Sequence, residues 1–208
     1  MMNADSLYKK GRRLEYFLVS YNFAEAIASL LFGSIAGSIA LIGFGLDSLV
    51  EIMSSVFVIW RLRQHGKVSQ VAEERIERRA VKAVAIGFFI LGFYVLYEST
   101  AKLVFGEIPS PTLPGIIIAT ASIIVMPWVG SQTGKIGKQI NSRALVADSK
   151  ETIACAFLSV ALLLGLGTNY LLGFWQADPI VGLIIVAFLL REGWECWKES
   201  GEEKEEES

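Results

Sequence analysis

Two pairs of reactive side chains sit at helical spacing inside apolar sequence. Asp47 and Glu51 lie in "LIGFGLDSLVEIMSSVF", and Glu151 and Cys155 lie in "ALVADSKETIACAFLSV". The members of each pair are four residues apart, which puts them on one face of a helix. Asp148, three residues before Glu151, extends that face. A further apolar stretch, "SYNFAEAIAS", holds Asn22 and Glu25. Carboxylates clustered with a thiol in low dielectric have two stable conditions: protons neutralise them, or a cation does. Oxygen and thiolate donors bind zinc, and oxygen donors alone suit harder ions such as manganese and magnesium. Protons and metal compete for the same atoms, so metal entry releases protons. That competition is itself a means of exchanging metal for protons. A second interpretation stays open, in which the acids pair with one another or with Lys150, or cap backbone groups, and only hold a bundle together.

The elements that position these residues follow from composition. The chain has 208 residues, of which 53% are hydrophobic. Six apolar runs of about 20 residues, near 15–33, 38–60, 80–105, 113–132, 143–165 and 178–197, could each cross a hydrocarbon layer of roughly 30 Å. The expected fold class is an all-α membrane protein of six transmembrane helices. Residues 1–198 would form the transport domain and 199–208 an acidic, disordered tail. No length remains for a second globular domain. Lys9, Lys10, Arg12 and Arg13 precede the first run, and Arg61, Arg63, Lys67, Arg75, Arg78, Arg79 and Lys82 flank the second connection. Lys135, Lys138 and Arg143 flank the fourth, and Arg191, Lys198 and Lys204 close the chain, whereas the opposite side has Lys102. Basic residues favour the cytoplasmic side, so both termini are expected there. Asp47 and Cys155 then fall near mid-membrane, with Glu51 and Glu151 about 6 Å nearer the cytoplasm at 1.5 Å per residue. The two pairs come level if the second and fifth helices pack together, and Glu25 lies near the same depth. Asp148, Glu25 and Asn22 are candidates for supporting the ligands or relaying protons.

Other residues are read more plainly. "GSIAGS" predicts a tight hairpin between the first two helices, and "EERIERR" a charged helical lead-in to the third. "GEIPSPTLPG" cannot continue a helix, and "GTNYLLGFWQADP" reads as an external loop with interfacial aromatics. Asp178 before Pro179 reads as an N-cap. Pro127 interrupts the hydrogen bonding of the fourth helix. Glu98 reads as an outer-interface residue, Lys150 as snorkelling to the cytoplasm, and Cys196 as packing. Cys155 and Cys196 lack the spacing of a disulfide framework. His65 lies in a basic loop. With no HExxH and no serine–histidine pair, an intramembrane hydrolase is not expected. The N-terminus lacks the features of a cleaved signal peptide.

At "SIALIGFGLDSLVE" and "SRALVADSKETIAC" the sequence resembles the cation diffusion facilitator family. The resemblance covers the membrane region, including "ADP" at the start of the sixth run. It implies a six-span bundle that exports zinc, iron, manganese or cobalt in exchange for protons. It places metal ligands at Asp47 and Glu51 and, on the fifth helix, at Glu151 and Cys155. Those last two stand where the family has histidine and aspartate, which removes the basis for assuming a zinc preference. Only the acidic tail follows Lys198, so a short form without the family's C-terminal cytoplasmic domain is expected, with any homodimer built from membrane helices. The implied partners are membrane lipid, a divalent metal ion and protons, with no permanently bound cofactor and no nucleic acid. The implied location is the plasma membrane of a prokaryote. The alternative is a non-transporting metal-binding or structural membrane subunit.

Overall fold

The computed structural model describes residues 4–64, 70–106, 110 and 112–199. His65, Glu107 and the acidic tail from residue 200 lie outside the described residues. The described chain forms helices α1 (Ala4–Ala36), α2 (Ile39–Gln64), α3 (Gln70–Phe105), α4 (Leu113–Gln139), α5 (Arg143–Leu172) and α6 (Ala177–Glu199). Five of them hold stretches long and apolar enough to cross a membrane. In α6 the uninterrupted apolar run is 179–190, bounded by Asp178 and by Arg191 and Glu192. Large apolar side chains point outward from the middle of the helices, among them Phe157 (73% exposed), Ile124 (68%) and Leu164 (63%). Such a belt is costly in water and is solvated by lipid. The protein is therefore an integral, multi-pass membrane protein.

Antiparallel neighbours pair most closely: α1 with α2, α4 with α5, and α3 with α6. α2 is central, touching α1, α3, α5 and α6. Lipid supplies no hydrophobic drive between helices, so association depends on close packing at small residues. Gly45 shows this: a Cβ there would meet Ser29 Cβ at 2.9 Å and the backbone nitrogen of Leu30 at 3.1 Å. The α1–α2 hairpin is as tight as expected, with only Gly37 and Ser38 between the helices and Gly37 at φ 65°.

Three expectations change. The helical lead-in to α3 is present, but α1 is also longer than its apolar run, beginning at Ala4. At 1.5 Å per residue, α1 is about 50 Å long, so it extends well beyond the hydrocarbon. The fifth helix continues through "GTNYLL", and the expected loop shrinks to 173–176. Exposed Leu171 and Leu172 tolerate this at a lipid boundary, and Gly173, at φ 65°, ends the helix. Asp178 lies inside the first turn of α6 instead of capping it. Its carboxylate accepts from the Ser38 hydroxyl and from Ile39 N at 3.0 Å, so it caps the start of α2. At the same end Lys102 Nζ donates to the Gly37 carbonyl. α4 runs unbroken through Pro127.

Candidate metal centre

The central helix α2 presents Asp47 and Glu51 inward, one turn apart, both nearly inaccessible to solvent. Across from them α5 presents Cys155, buried, and Glu151, half-buried. The two helices meet at this depth: Cys155 Sγ donates to Asp47 Oδ2 at 2.9 Å. One turn along, Glu51 lies within electrostatic reach of Asp47, Glu151, Glu25 and Asp148. Glu51 Oε1 and Glu151 Oε1 have no hydrogen-bond partner. The depth arithmetic from the sequence and the observed α2–α5 contact therefore agree.

α1 closes one side. Glu25 Oε2 accepts from Ser48 Oγ at 2.9 Å, while its other oxygen is unpartnered. Tyr21 and Ser122 adjoin Glu25. Asn22 is fully buried, and neither of its amide atoms has a hydrogen-bond partner. Towards the basic end of the bundle, Asp148 Oδ1 accepts from Ser54 Oγ at 2.9 Å and Oδ2 is unpartnered. Lys150, next to Glu151 in sequence, is exposed and turned away from the cluster.

Two acids join this group that the sequence reading did not single out. Glu15 of α1 is fully buried beside Asp148 and Ser55. It opens the first apolar run, where a charge reads as interfacial. Its helical register with Asn22 and Glu25, at seven and ten residues, was the available signal. Glu192 of α6 stands near enough to Asp47 and Glu151 for both to sense its charge. Its sequence signal was an acid within a turn of the apolar run of α6.

Among the described residues no lysine or arginine bonds Glu15, Glu25, Asp47, Glu51, Asp148 or Glu151. Nor, among the described residues, do three acidic, thiol or imidazole groups close around one point as a finished metal cage. The donors are arrayed as pairs on facing helices. Several buried acids without an internal cation must hold protons or accept a cation from outside.

The family model for the cation efflux transmembrane domain matches residues 16–203. The chain is 22% identical over 174 residues to an uncharacterized transporter, MJ0449, of Methanocaldococcus jannaschii, covering 82% of this chain and 61% of that protein. It is 24% identical over 181 residues to the magnetosome protein MamB of Magnetospira, covering 84% and 60%. It is 22% identical over 196 residues to the manganese efflux system protein MneS of Bacillus subtilis, covering 92% and 67%. The chain thus spans about three-fifths of the length of the first two relatives and two-thirds of the third.

Proposed function

The chain belongs to the cation efflux family, and on that premise we propose that it carries a divalent metal ion out of the cytoplasm in exchange for protons. Asp47, Glu51, Glu151 and Cys155 bind the ion, and Glu25, Asn22 and Asp148 support those ligands or pass protons. The observation that carries this reading is the Cys155–Asp47 contact across α2 and α5, beside the unpartnered oxygens of Glu51 and Glu151. It joins two helices through donors of the type that bind zinc, iron, manganese or cobalt. Three carboxylates to one thiol make an oxygen-rich set, and the similarity to the manganese efflux system protein of Bacillus makes manganese the first metal to test. Protons and metal compete for these atoms, so emptying the site of one favours loading the other. Residues 1–198 act as the transport unit, and catalysis of a covalent reaction is no part of the role.

The test is flux in proteoliposomes with an imposed pH gradient and zinc, manganese, iron(II) or cobalt inside or outside. Metal movement coupled to opposite proton movement is expected for at least one metal and is lost in Asp47→Asn. Metal binding without flux in the parent protein would instead indicate a non-transporting metal-binding subunit. Undiminished flux in Asp47→Asn would remove Asp47 from the site.

A further inference from the structure

Glu15 and Asp148 lie on the cytoplasmic side of the proposed ligands, within electrostatic reach of Glu151. At 1.5 Å per residue along α5, Asp148 lies about 10 Å from the level of Cys155, towards the end where both termini emerge. That end carries Lys9, Lys10, Arg61, Arg63, Lys138 and Lys198, and the positive-inside rule assigns it to the cytoplasm. Glu15 is 0% exposed and Asp148 4% exposed. Glu15 faces Asp148 and Ser55 from α1, yet neither of its carboxylate oxygens has a hydrogen-bond partner. Asp148 Oδ2 and the Ser55 hydroxyl are unpartnered as well. The other Asp148 oxygen is held by Ser54 Oγ at 2.9 Å, which fixes the carboxylate between α2 and α5.

Buried polar atoms are almost always paired, and buried carboxylates most of all. Here three carboxylate oxygens and a hydroxyl, drawn from α1, α2 and α5, are left open together. A proton shared between the two facing acids is the competing occupant, and it is displaced when a cation binds. All the available donors are hard oxygens, in contrast to the thiol-containing pair deeper in the bundle. Hard divalent ions take about six oxygens, accept one or two carboxylates, and complete their shell with water. We propose that Glu15 and Asp148, with the Ser55 hydroxyl, form a second divalent-cation site on the cytoplasmic side of the Asp47 site. It takes an oxygen-loving ion such as manganese(II), one step before that ion reaches Asp47. The inference rests on the reading of the chain as a carrier of divalent cations, but it adds Glu15 and Ser55 to the binding residues and gives Asp148 a separate bound ion.

Manganese(II) alone is the probe, titrated into the intact chain in detergent, with free ion counted by electron paramagnetic resonance. The parent is expected to bind two ions per chain. Glu15→Gln, nearly isosteric, is expected to retain one ion and to weaken the other at least tenfold. Asp47→Asn is expected to keep the Glu15-dependent ion and lose the other. Should Glu15→Gln not yield folded protein, Asp148→Asn is read in its place, with the same expected loss. The proposal is overturned if Glu15→Gln, or Asp148→Asn in its stead, binds as many ions as the parent with unchanged affinities. It is equally overturned if the parent binds a single ion that the substitution leaves unaffected. If Asp47→Asn retains both ions while Glu15→Gln loses one, the Asp47 reading fails and the Glu15 site stands.

Discussion

Replacing Asp178 by alanine should loosen the junction of α2 and α6 by an amount that the structure sets. The Asp178 carboxylate is fully buried and accepts from the Ser38 hydroxyl and from Ile39 N at 3.0 Å. Alanine leaves that backbone N–H, at the first turn of α2, without a partner in a place water does not reach. A buried orphan of this kind costs about 1–3 kcal/mol. The Ser38 hydroxyl loses its acceptor but still receives Leu41 N at 3.2 Å, so its share is at the low end of that range. Together they give about 2–4 kcal/mol. For a chain of this size each kcal/mol moves the midpoint by about 2–4 °C, so the expected fall is roughly 5–15 °C. Asparagine keeps one acceptor oxygen and should fall about half as far. The assay is thermal unfolding in detergent followed by the fluorescence of the five tryptophans. Ser38→Ala removes the other partner of the same bond, so the double substitution should cost less than the sum of the two singles by about 1 kcal/mol or more. A midpoint for Asp178→Ala within about 1 °C of the parent, or strict additivity with Ser38→Ala, would show that Asp178 does not cap α2 in the membrane.

Cys155→Ser keeps a hydroxyl near Asp47 but removes the soft donor. Loss of a group that merely supports a ligand costs about 10–100-fold in metal affinity, so zinc binding should weaken by at least about tenfold while manganese changes less; equal effects on both metals would rule out a ligand role for the thiol. Metal affinity should rise with pH through the acidic range, by about tenfold per pH unit for each proton displaced; isothermal titration in two buffers of different ionisation enthalpy reads the protons released, and a flat profile would contradict exchange. Gly130→Val should push α4 from α5, because its Cβ would meet Ile153 Cγ1 at 2.8 Å and the Ser149 carbonyl at 3.1 Å. A cost of about 1–3 kcal/mol from overpacking should appear as a lower midpoint, and an unchanged midpoint would mean that the helices are looser there.

The sequence carried the parts of this arrangement that depend on one helix at a time. Four-residue spacing set Asp47 with Glu51 and Glu151 with Cys155, and counting rises from the membrane boundary brought the pairs level. The observed Cys155–Asp47 bond follows that arithmetic. What could not be read is how each helix is rotated against the others. Glu15 begins an apolar run and reads as interfacial, yet α1 starts eleven residues earlier and turns that carboxylate inward. Asp178 has every local mark of an N-cap, but its partner helix begins some 140 residues away in the chain. No window of local sequence holds that relation. The end of α5 was misplaced for a different reason. Gly167 and Asn169 read locally as a break, yet the helix runs on through the helix-forming Leu171 and Leu172 and ends only at Gly173, at φ 65°.

The distribution of positive charge supplies the remaining step. Lys102 is buried at the far end of the bundle, where it donates to the Gly37 carbonyl near Asp178. Lys150 is next to Glu151 in sequence but exposed. A bundle that used its acids only as permanent struts would be expected to pair them with such residues, because an uncompensated buried ion costs several kcal/mol even after relaxation. With Glu15, Glu25, Asp47, Glu51, Asp148 and Glu151 unpaired to any base among the described residues, their compensation has to arrive from outside. On the proposed reading this imposes the coupling. Release of a divalent ion leaves two positive charges fewer among these carboxylates, and protons are the other cations small enough to replace them deep in the bundle. A carrier returning without either would hold buried charge at a cost that slows the return. On that reading the ligands themselves bind the exchanged protons, and Glu25 and Asp148 pass them on. The exchange follows from placing carboxylates inside the bundle with no lysine or arginine bonded to them among the described residues.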